Sequence, residues 1–328
     1  MHLVNHHLTE RRPLAFYLAM EEWVARNVPA GDWLFTWSVD PTVIIGRNQL
    51  LDSEVDTEFC RRHHIDICRR KSGGGAVYAD RGNLMVSLIC KGSQDNVSET
   101  FSRYLTAMTG ALRELGLNAS SSSRNDILID GRKVSGNSFC QLSGDVSVVH
   151  GTLLHTFDPE MMRGALTPSR QKLESHGVAS VSSRVTAISE HLPGLTFRQL
   201  ERYIVEALTE GRQLTLTAVD VAEIEQIERE YHSPDWLYGK NPRGSLKCNE
   251  RIDGVGEISL YLSVGGGRIR NISFSGDYFE TTDAEDALKD LLAGAEYSPE
   301  SVRRLLGGLD IGRLIPGMTA DRLTKMLF

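Results

Sequence analysis

The sequence predicts an α/β protein of α+β texture, with a large N-terminal domain followed by a small α+β domain. Three observations carry this reading. An amphipathic opening helix gives way to β-rich runs, a β-meander lies between Asn125 and His155, and a Pro/Gly-punctuated stretch from Ser233 to Ser245 precedes a last hairpin-plus-helix unit. The 328 residues exceed one average domain, so two domains are expected. The boundaries drawn are a main domain over 1–240, a linker over 241–250 and an accessory domain over 251–328.

Phe16, Met20, Trp23 and Val24 recur at helical spacing until Pro29-Ala30-Gly31 breaks the pattern, predicting a helix from Arg12 to Val28. Two β runs follow, Trp33 to Val39 and Thr42 to Arg47, split by Asp40-Pro41. A helix over Asp56 to His64 precedes a short strand over Asp66 to Arg69 and a buried strand over Leu84 to Cys90. Phe101, Tyr104, Leu105, Met108, Leu112 and Leu115 form a helical stripe that stops before Gly116. The meander reads as Ile127 to Ile129, an Asp130-Gly131 turn, a strand from Lys133, a Ser143-Gly144-Asp145 turn, and Val146 to Leu154. Helix dominates from Pro159 to Tyr231, a hairpin spans Gly256 to Phe274, and helix returns over Ala284 to Leu306.

Composition narrows the function classes. The formal charge of -7 and a pI near 5.8 argue against a surface that tracks nucleic-acid phosphates, so any phosphate handled is small and enclosed. Mean hydropathy is -0.24, the segment Met1 to Arg12 has no apolar core, and no run is long enough to span a bilayer. The five cysteines, Cys60, Cys68, Cys90, Cys140 and Cys248, are odd in number and scattered, as expected of reduced thiols in a cytoplasmic protein. Cys60, His63, His64 and Cys68 cluster without a C-x-x-C pair and read as surface histidines beside buried thiols rather than a zinc site.

Three segments carry chemistry. In Arg69-Arg70-Lys71-Ser72-Gly73-Gly74-Gly75-Ala76-Val77-Tyr78, glycines follow a strand and three cations; backbone N–H groups without Cβ atoms approach an anion closely, and the cations offer countercharge. A second glycine run, Gly265-Gly266-Gly267, lacks such charge and reads as a plain hairpin loop. Neither run is a P-loop or a dinucleotide fingerprint. Asn125-Asp126 opens one strand and Lys133-Val134-Ser135-Gly136 the next, so a hairpin can bring acid and base together; a turn-capping aspartate and a solvated lysine are the alternative. His150-Gly151-Thr152 reads equally as a satisfied strand histidine beside a bulge glycine.

Together, with Asp80-Arg81-Gly82-Asn83, these segments resemble the lipoate–protein ligase A family over about three-quarters of the chain. The resemblance implies the α/β fold shared with biotin ligases and class II aminoacyl-tRNA synthetases: a mixed sheet flanked by helices in a catalytic domain, then a small accessory domain. It implies that Arg70, Gly75, Ala76, Val77 and Tyr78 hold ATP, with Asn83 and Asp126 near the phosphates or Mg²⁺, and that His150, Gly151 and Thr152 line the adenylate pocket. For lipoate it implies Arg70, Ser72, Gly73, Gly74, Lys133, Ser135 and Gly136, with Lys133 touching both substrates as the catalytic residue. The implied substrates are lipoate and ATP with Mg²⁺. The implied acceptors are lipoyl-domain proteins such as 2-oxoacid dehydrogenase E2 subunits and the glycine cleavage H protein, with no nucleic-acid or membrane partner.

In the implied reaction, lipoate attacks the α-phosphate of ATP, Lys133 lowers the repulsion between the two anions, and lipoyl-AMP then passes its acyl group to a lysine. The octanoyltransferase branch of the fold has a cysteine just upstream of the lysine strand; here Ser120 to Arg124 contains none, and Cys140 lies beyond the lysine. A biotin ligase and a non-catalytic lipoate-binding module are further alternatives. Ser138 and Lys71 depart from the usual pattern and bear on acyl preference rather than on the reaction.

Overall fold

The structure is a computed structural model that describes every residue except 7–9, 94–96, 123–124, 168–183, 240–241 and 282. Part of the helical stretch expected between Pro159 and Tyr231 therefore lies outside the described residues. So do His7, and Ser123 and Arg124 of the segment searched for a cysteine.

The N-terminal domain begins with β1 (His2–Asn5), α1 (Leu14–Asn27), β2 (Gly31–Trp37) and β3 (Thr42–Ile45). Next come α2 (Leu51–Glu54), α3 (Thr57–Arg62), β4 (Asp66–Arg69), β5 (Val77–Ala79), β6 (Asn83–Lys91) and α4 (Val97–Glu114). The strands β7 (Ala119–Ser121), β8 (Asp126–Ile129), β9 (Arg132–Ser143) and β10 (Val146–Leu154) then form the meander. After them come α5 (Pro159–Ala165), α6 (Ile188–His191), α7 (Phe197–Leu208), β11 (Gln213–Thr215), α8 (Ala218–Tyr231) and α9 (Pro234–Tyr238).

Eight strands form one mixed sheet in the order β11-β1-β2-β6-β10-β9-β8-β7. Its centre, β6, is buried along nearly its whole length because helices cover both faces. Leu84, Val86 and Leu88 face the core shared with Met108 of α4 and Ile204 of α7. Met85 and Ile89 face the core built on Phe16 and Met20 of α1 and Ile224 of α8. Helix α1 is buried at every position from Leu14 to Ala25, so its two carboxylates, Glu21 and Glu22, must find partners inside the protein. A second sheet of three strands, β4-β3-β5, stands beside the first, with β3 parallel to β4 and antiparallel to β5.

Three expectations need correction. The stretch Ser233 to Ser245 is not a plain linker: Ser233 caps α9, and β12 starts at Ser245. The interval 241–250 holds most of β12 (Ser245–Ile252), which pairs with β13 (Gly256–Gly265). Its alternation is masked because β12 is an edge strand, half-exposed on both faces. The hairpin of β13 and β14 (Arg268–Gly276) turns through Gly266 and Gly267 at φ 61° and 71°, as a plain loop of that composition should. The helical run expected over Ala284 to Leu306 is broken into α10 (Ala284–Leu292) and α11 (Pro299–Leu306) around Gly294, and α12 (Ile311–Leu314) and α13 (Ala320–Leu327) complete the small domain. Among the described residues no helix is long and apolar enough to cross a membrane.

Candidate active site

The glycine run connects β4 to β5 and is stitched to the end of β3. Arg70 N donates to the Ile45 carbonyl at 3.0 Å, and Arg47 N donates to the Ser72 carbonyl at 2.9 Å. Arg70 braces the loop from within. Its Nε donates to Ser72 Oγ at 3.0 Å, Nη1 to the Ile44 carbonyl at 3.2 Å, and Nη2 to the carbonyls of Gly73 and Gly75 at 2.7 and 2.9 Å. Burial pushes its pKa down to about 10, which leaves the guanidinium charged at neutral pH. At Gly74, φ is +90° and an added Cβ would sit 3.0 Å from the Phe279 ring, so only glycine fits.

The neighbouring cations do not offer free charge as the sequence implied. Arg69 Nη1 donates to the carbonyls of Gly46, Arg47 and Gln49, and its Nε and Nη2 turn to the end of α9. Lys71 pairs with Glu22 at 2.8 Å and Glu230 at 3.3 Å, beneath the rings of Tyr231 and Trp236. All three therefore hold the loop and its supports in place. The clustering was visible, but the Trp236 and Leu237 carbonyls that hold Arg69, and the Glu22 and Glu230 carboxylates that hold Lys71, come from helices far along the chain.

Charge reaches the cavity instead from the β8–β9 hairpin. Asp130 and Gly131 turn at φ 49° and 81°, both left-handed, so the two strands close tightly and Asp126 pairs with Gly136. The register shifts between Ile127 and Leu128, a bulge that resets the alternation so that Lys133 and Gly136 share the cavity wall. Lys133 Nζ lies 2.8 Å from Asp126 Oδ1. A Cβ at Gly136 would meet that ammonium at 2.7 Å, so the glycine clears the path of the lysine. A second cation, Arg184, pairs with Asp126 Oδ2. It is set there because Thr186 N donates to the Lys133 carbonyl at 2.8 Å and Val185 bridges to Lys133. No spacing signal marked Arg184; it is a lone cation after Ser180-Val181-Ser182-Ser183.

His150 lies on β10 facing α1. Its Nε2 is 2.8 Å from Ser72 Oγ, and its Nδ1 lies 2.9 and 3.1 Å from the two Glu21 oxygens. Glu21 also escaped the sequence reading, since an acid within an apolar helix carries no motif.

Between these elements and the small domain lies a cavity of about 960 Å³, at the upper end of the usual size for a ligand pocket. Its lining combines an apolar group, Leu14, Leu18, Trp37, Ile44 and Met85, drawn from the core around α1, with a charged group that includes Asp126, Lys133 and Arg184 and, from the small domain, Arg251 and Asp277. It suits an acid with an apolar tail plus a phosphorylated group.

Of the residues marked by sequence, Arg70, Gly74, Gly75, Ala76, Val77, Tyr78, Asp126, Lys133, Gly136, His150, Gly151 and Thr152 line this cavity. Four others lie behind its wall. Ser72 is fully buried between Arg70 and His150, and Gly73 is packed under Tyr278, whose carbonyl would lie 2.5 Å from an added Cβ. Asn83 ties the 80–83 turn to the Thr156 carbonyl at 3.0 Å, and Ser135 donates to Asn137 Oδ1 at 3.1 Å. These four support the wall rather than form it.

Asp126 does not fit the role of a magnesium ligand in this arrangement, because its two oxygens already face Lys133 and Arg184. In the cluster around Cys60, the histidines at 63 and 64 are exposed while both thiols are buried, so the four groups do not converge.

The chain matches the lipoyl protein ligase A/B catalytic domain over residues 13–209 and the bacterial lipoate protein ligase C-terminus over 241–327. It is 34% identical to lipoate-protein ligase LplJ of Bacillus subtilis strain 168, over 95% of this chain and 96% of that one. In fold it is similar to LipL1 of P. falciparum, solved in complex with lipoate, with a TM-score of 0.78 at 21% identity, covering 99% and 98% of the two chains. A lipoate-protein ligase A bound with ATP aligns with a TM-score of 0.62 at 22% identity, over 73% of this chain and 99% of that one. With both of its domains matched in order and a relative aligned almost end to end, the chain belongs to the lipoate–protein ligase A family.

Proposed function

We propose that this protein is an ATP-dependent lipoate–protein ligase that makes lipoyl-AMP in the cavity and transfers the lipoyl group to a lysine of a lipoyl domain. The observation that carries the reading is a single cavity whose lining joins an apolar group of side chains to Lys133 and Arg184 gathered on Asp126. Like charges about 4 Å apart repel by about 4 kcal/mol at an effective dielectric of 20. Asp126 offsets that repulsion, so two cations can wait side by side for the substrate anions.

In the first step the carboxylate oxygen of lipoate attacks the α-phosphorus and pyrophosphate leaves. Lys133 sits between the two anions, and Arg184 adds charge toward the phosphates. The backbone of Gly74 to Val77 wraps the acid, and Phe279 of the small domain closes that side against water. Magnesium enters with ATP as part of the substrate. In the second step the neutral acceptor amine attacks the acyl carbonyl and AMP leaves. The acceptors we assign are E2 subunits of 2-oxoacid dehydrogenases and the glycine cleavage H protein. The cysteines Cys60, Cys68, Cys90, Cys140 and Cys248 stand as free thiols, which supports a cytoplasmic location.

The cysteine-dependent transferase reading finds no support at Cys140. That thiol does not line the cavity, and burial pushes its pKa up to about 12. The test is mass spectrometry of an apo lipoyl domain incubated with enzyme, lipoate and MgATP. A lipoyl mass increment that requires ATP is expected. Octanoyl transfer from a carrier protein without ATP would replace this reading, and tight lipoate binding with no AMP formed would make the chain a binding module.

A further inference from the structure

We infer that Glu21 is a positioning residue of the ligase reaction, acting through His150 and Ser72 to fix the glycine loop. The inference rests on the proposed function and adds a residue from a different element, helix α1. The chain of contacts has a direction. Arg70 Nε–H donates to Ser72 Oγ at 3.0 Å, which leaves the serine one proton to give. His150 Nε2, 2.8 Å away, accepts it when Nδ1 carries the ring proton. The Glu21 carboxylate beside Nδ1 can only accept, so it selects that tautomer. Ser87 Oγ donates to Glu21 Oε1 at 2.6 Å, and Trp37 Nε1 donates to Ser87 Oγ at 2.9 Å, which pins the carboxylate in turn.

Every member is buried: Ser72 and Ser87 fully, Glu21 to 4% exposure and His150 to 8%. A cation stands at one end and an anion at the other, with each donor facing an acceptor, so the chain is polarised in one sense and resists rearrangement. Arg70 carries the order onward, because its Nη2 holds the carbonyls of Gly73 and Gly75. The carboxylate of α1 thereby governs where the loop presents its backbone to the cavity. Ser72 is inaccessible from the cavity and works as a link, not as a nucleophile.

Glu21→Gln keeps the shape and reverses the polarity. With its Oε1 kept against the Ser87 hydroxyl, the amide N–H₂ takes the place of Oε2, 3.1 Å from Nδ1; donating there moves the ring proton to Nε2, so that Ser72 Oγ faces two donors. We expect lipoate-dependent ATP–pyrophosphate exchange to lose about 10- to 100-fold in kcat/KM for lipoate, as small misplacements of reacting groups do. Glu21→Asp, which keeps a carboxylate, should recover part of the loss. Ser72→Ala should match Glu21→Gln, and the double variant should be no worse than about twofold below either single one, because both cut one chain. Nitrogen-15 NMR of labelled histidine supplies a readout that a merely packing role would not move. The His150 signal, assigned by its loss in His150→Gln, should change from the Nδ1–H to the Nε2–H tautomer in Glu21→Gln. Wild-type kcat/KM in Glu21→Gln, an unchanged tautomer, or fully additive losses would each overturn the inference. Absence of lipoate-dependent exchange in the wild-type enzyme would overturn the ligase reading instead, and the tautomer measurement would still decide the role of Glu21.

Discussion

Lys133 matters because of what sits around it: an aspartate 2.8 Å away, a glycine that leaves room for its ammonium, and an arginine sharing the same carboxylate. Replacing it with alanine should lower lipoyl-AMP formation by about 10²- to 10³-fold or more, the scale of losing a fixed charge at a developing anion, as read by single-turnover assay. Lys133, Asp126 and His150 were legible in the sequence because they fall in short local patterns. Arg184 and Glu21 were not, because their partners lie 58 and 129 positions away. The thiols give a pH prediction. Burial raises Cys60 to about 11 and both Cys68 and Cys140 to about 12, against an ordinary value of 9.0. The folded state thus favours the protonated thiols, so their contribution to stability is complete below pH 9 and is lost as pH rises toward 12. Denaturant titrations at rising alkaline pH should record that decline, and Cys140→Ser should keep its ligase activity.

At the scale of elements, the β8–β9 hairpin does the positioning. Gly136→Ala would force a methyl group against the lysine, and we expect ATP–pyrophosphate exchange to drop about tenfold while the melting temperature changes little, since the clash falls on a movable side-chain end. The meander was legible because apolar alternation and an Asp-Gly turn agree with each other. Strands β1 and β11 escaped notice, being four and three residues long and only partly apolar. They exist because they pair with each other in parallel at the edge of a sheet, an arrangement that no local window contains. In the small domain, Gly294 at φ +74° ends α10 and Ser298 caps α11, so a periodic run became two helices.

Over the whole molecule, the small domain is fastened across the cavity. Arg47 pairs with Glu280 at 3.3 Å and with Asp283 at 2.5 Å, Asn48 donates to Glu280 at 3.0 Å, and Gly74 N donates to the Tyr278 carbonyl at 3.2 Å. Phe279 stacks on Phe139 with centroids 5.2 Å apart. Its replacement by alanine should cost about 3 kcal/mol or more of stability, the usual result of truncating a buried aromatic, and chemical denaturation would measure it. A large domain followed by a smaller one was readable from the change of texture along the chain, although the proline- and glycine-punctuated stretch read as its linker holds α9 and the start of β12. The fastening was not, because it joins residues on opposite sides of that boundary. All of this converges on a cation held at the meeting point of two anionic substrates, and the most direct test is lipoate-dependent ATP–pyrophosphate exchange by the wild-type enzyme and by Lys133→Ala. The account predicts exchange with lipoate and none with biotin in the former, and its near-complete loss in the latter; exchange at the wild-type rate without the lysine would contradict it.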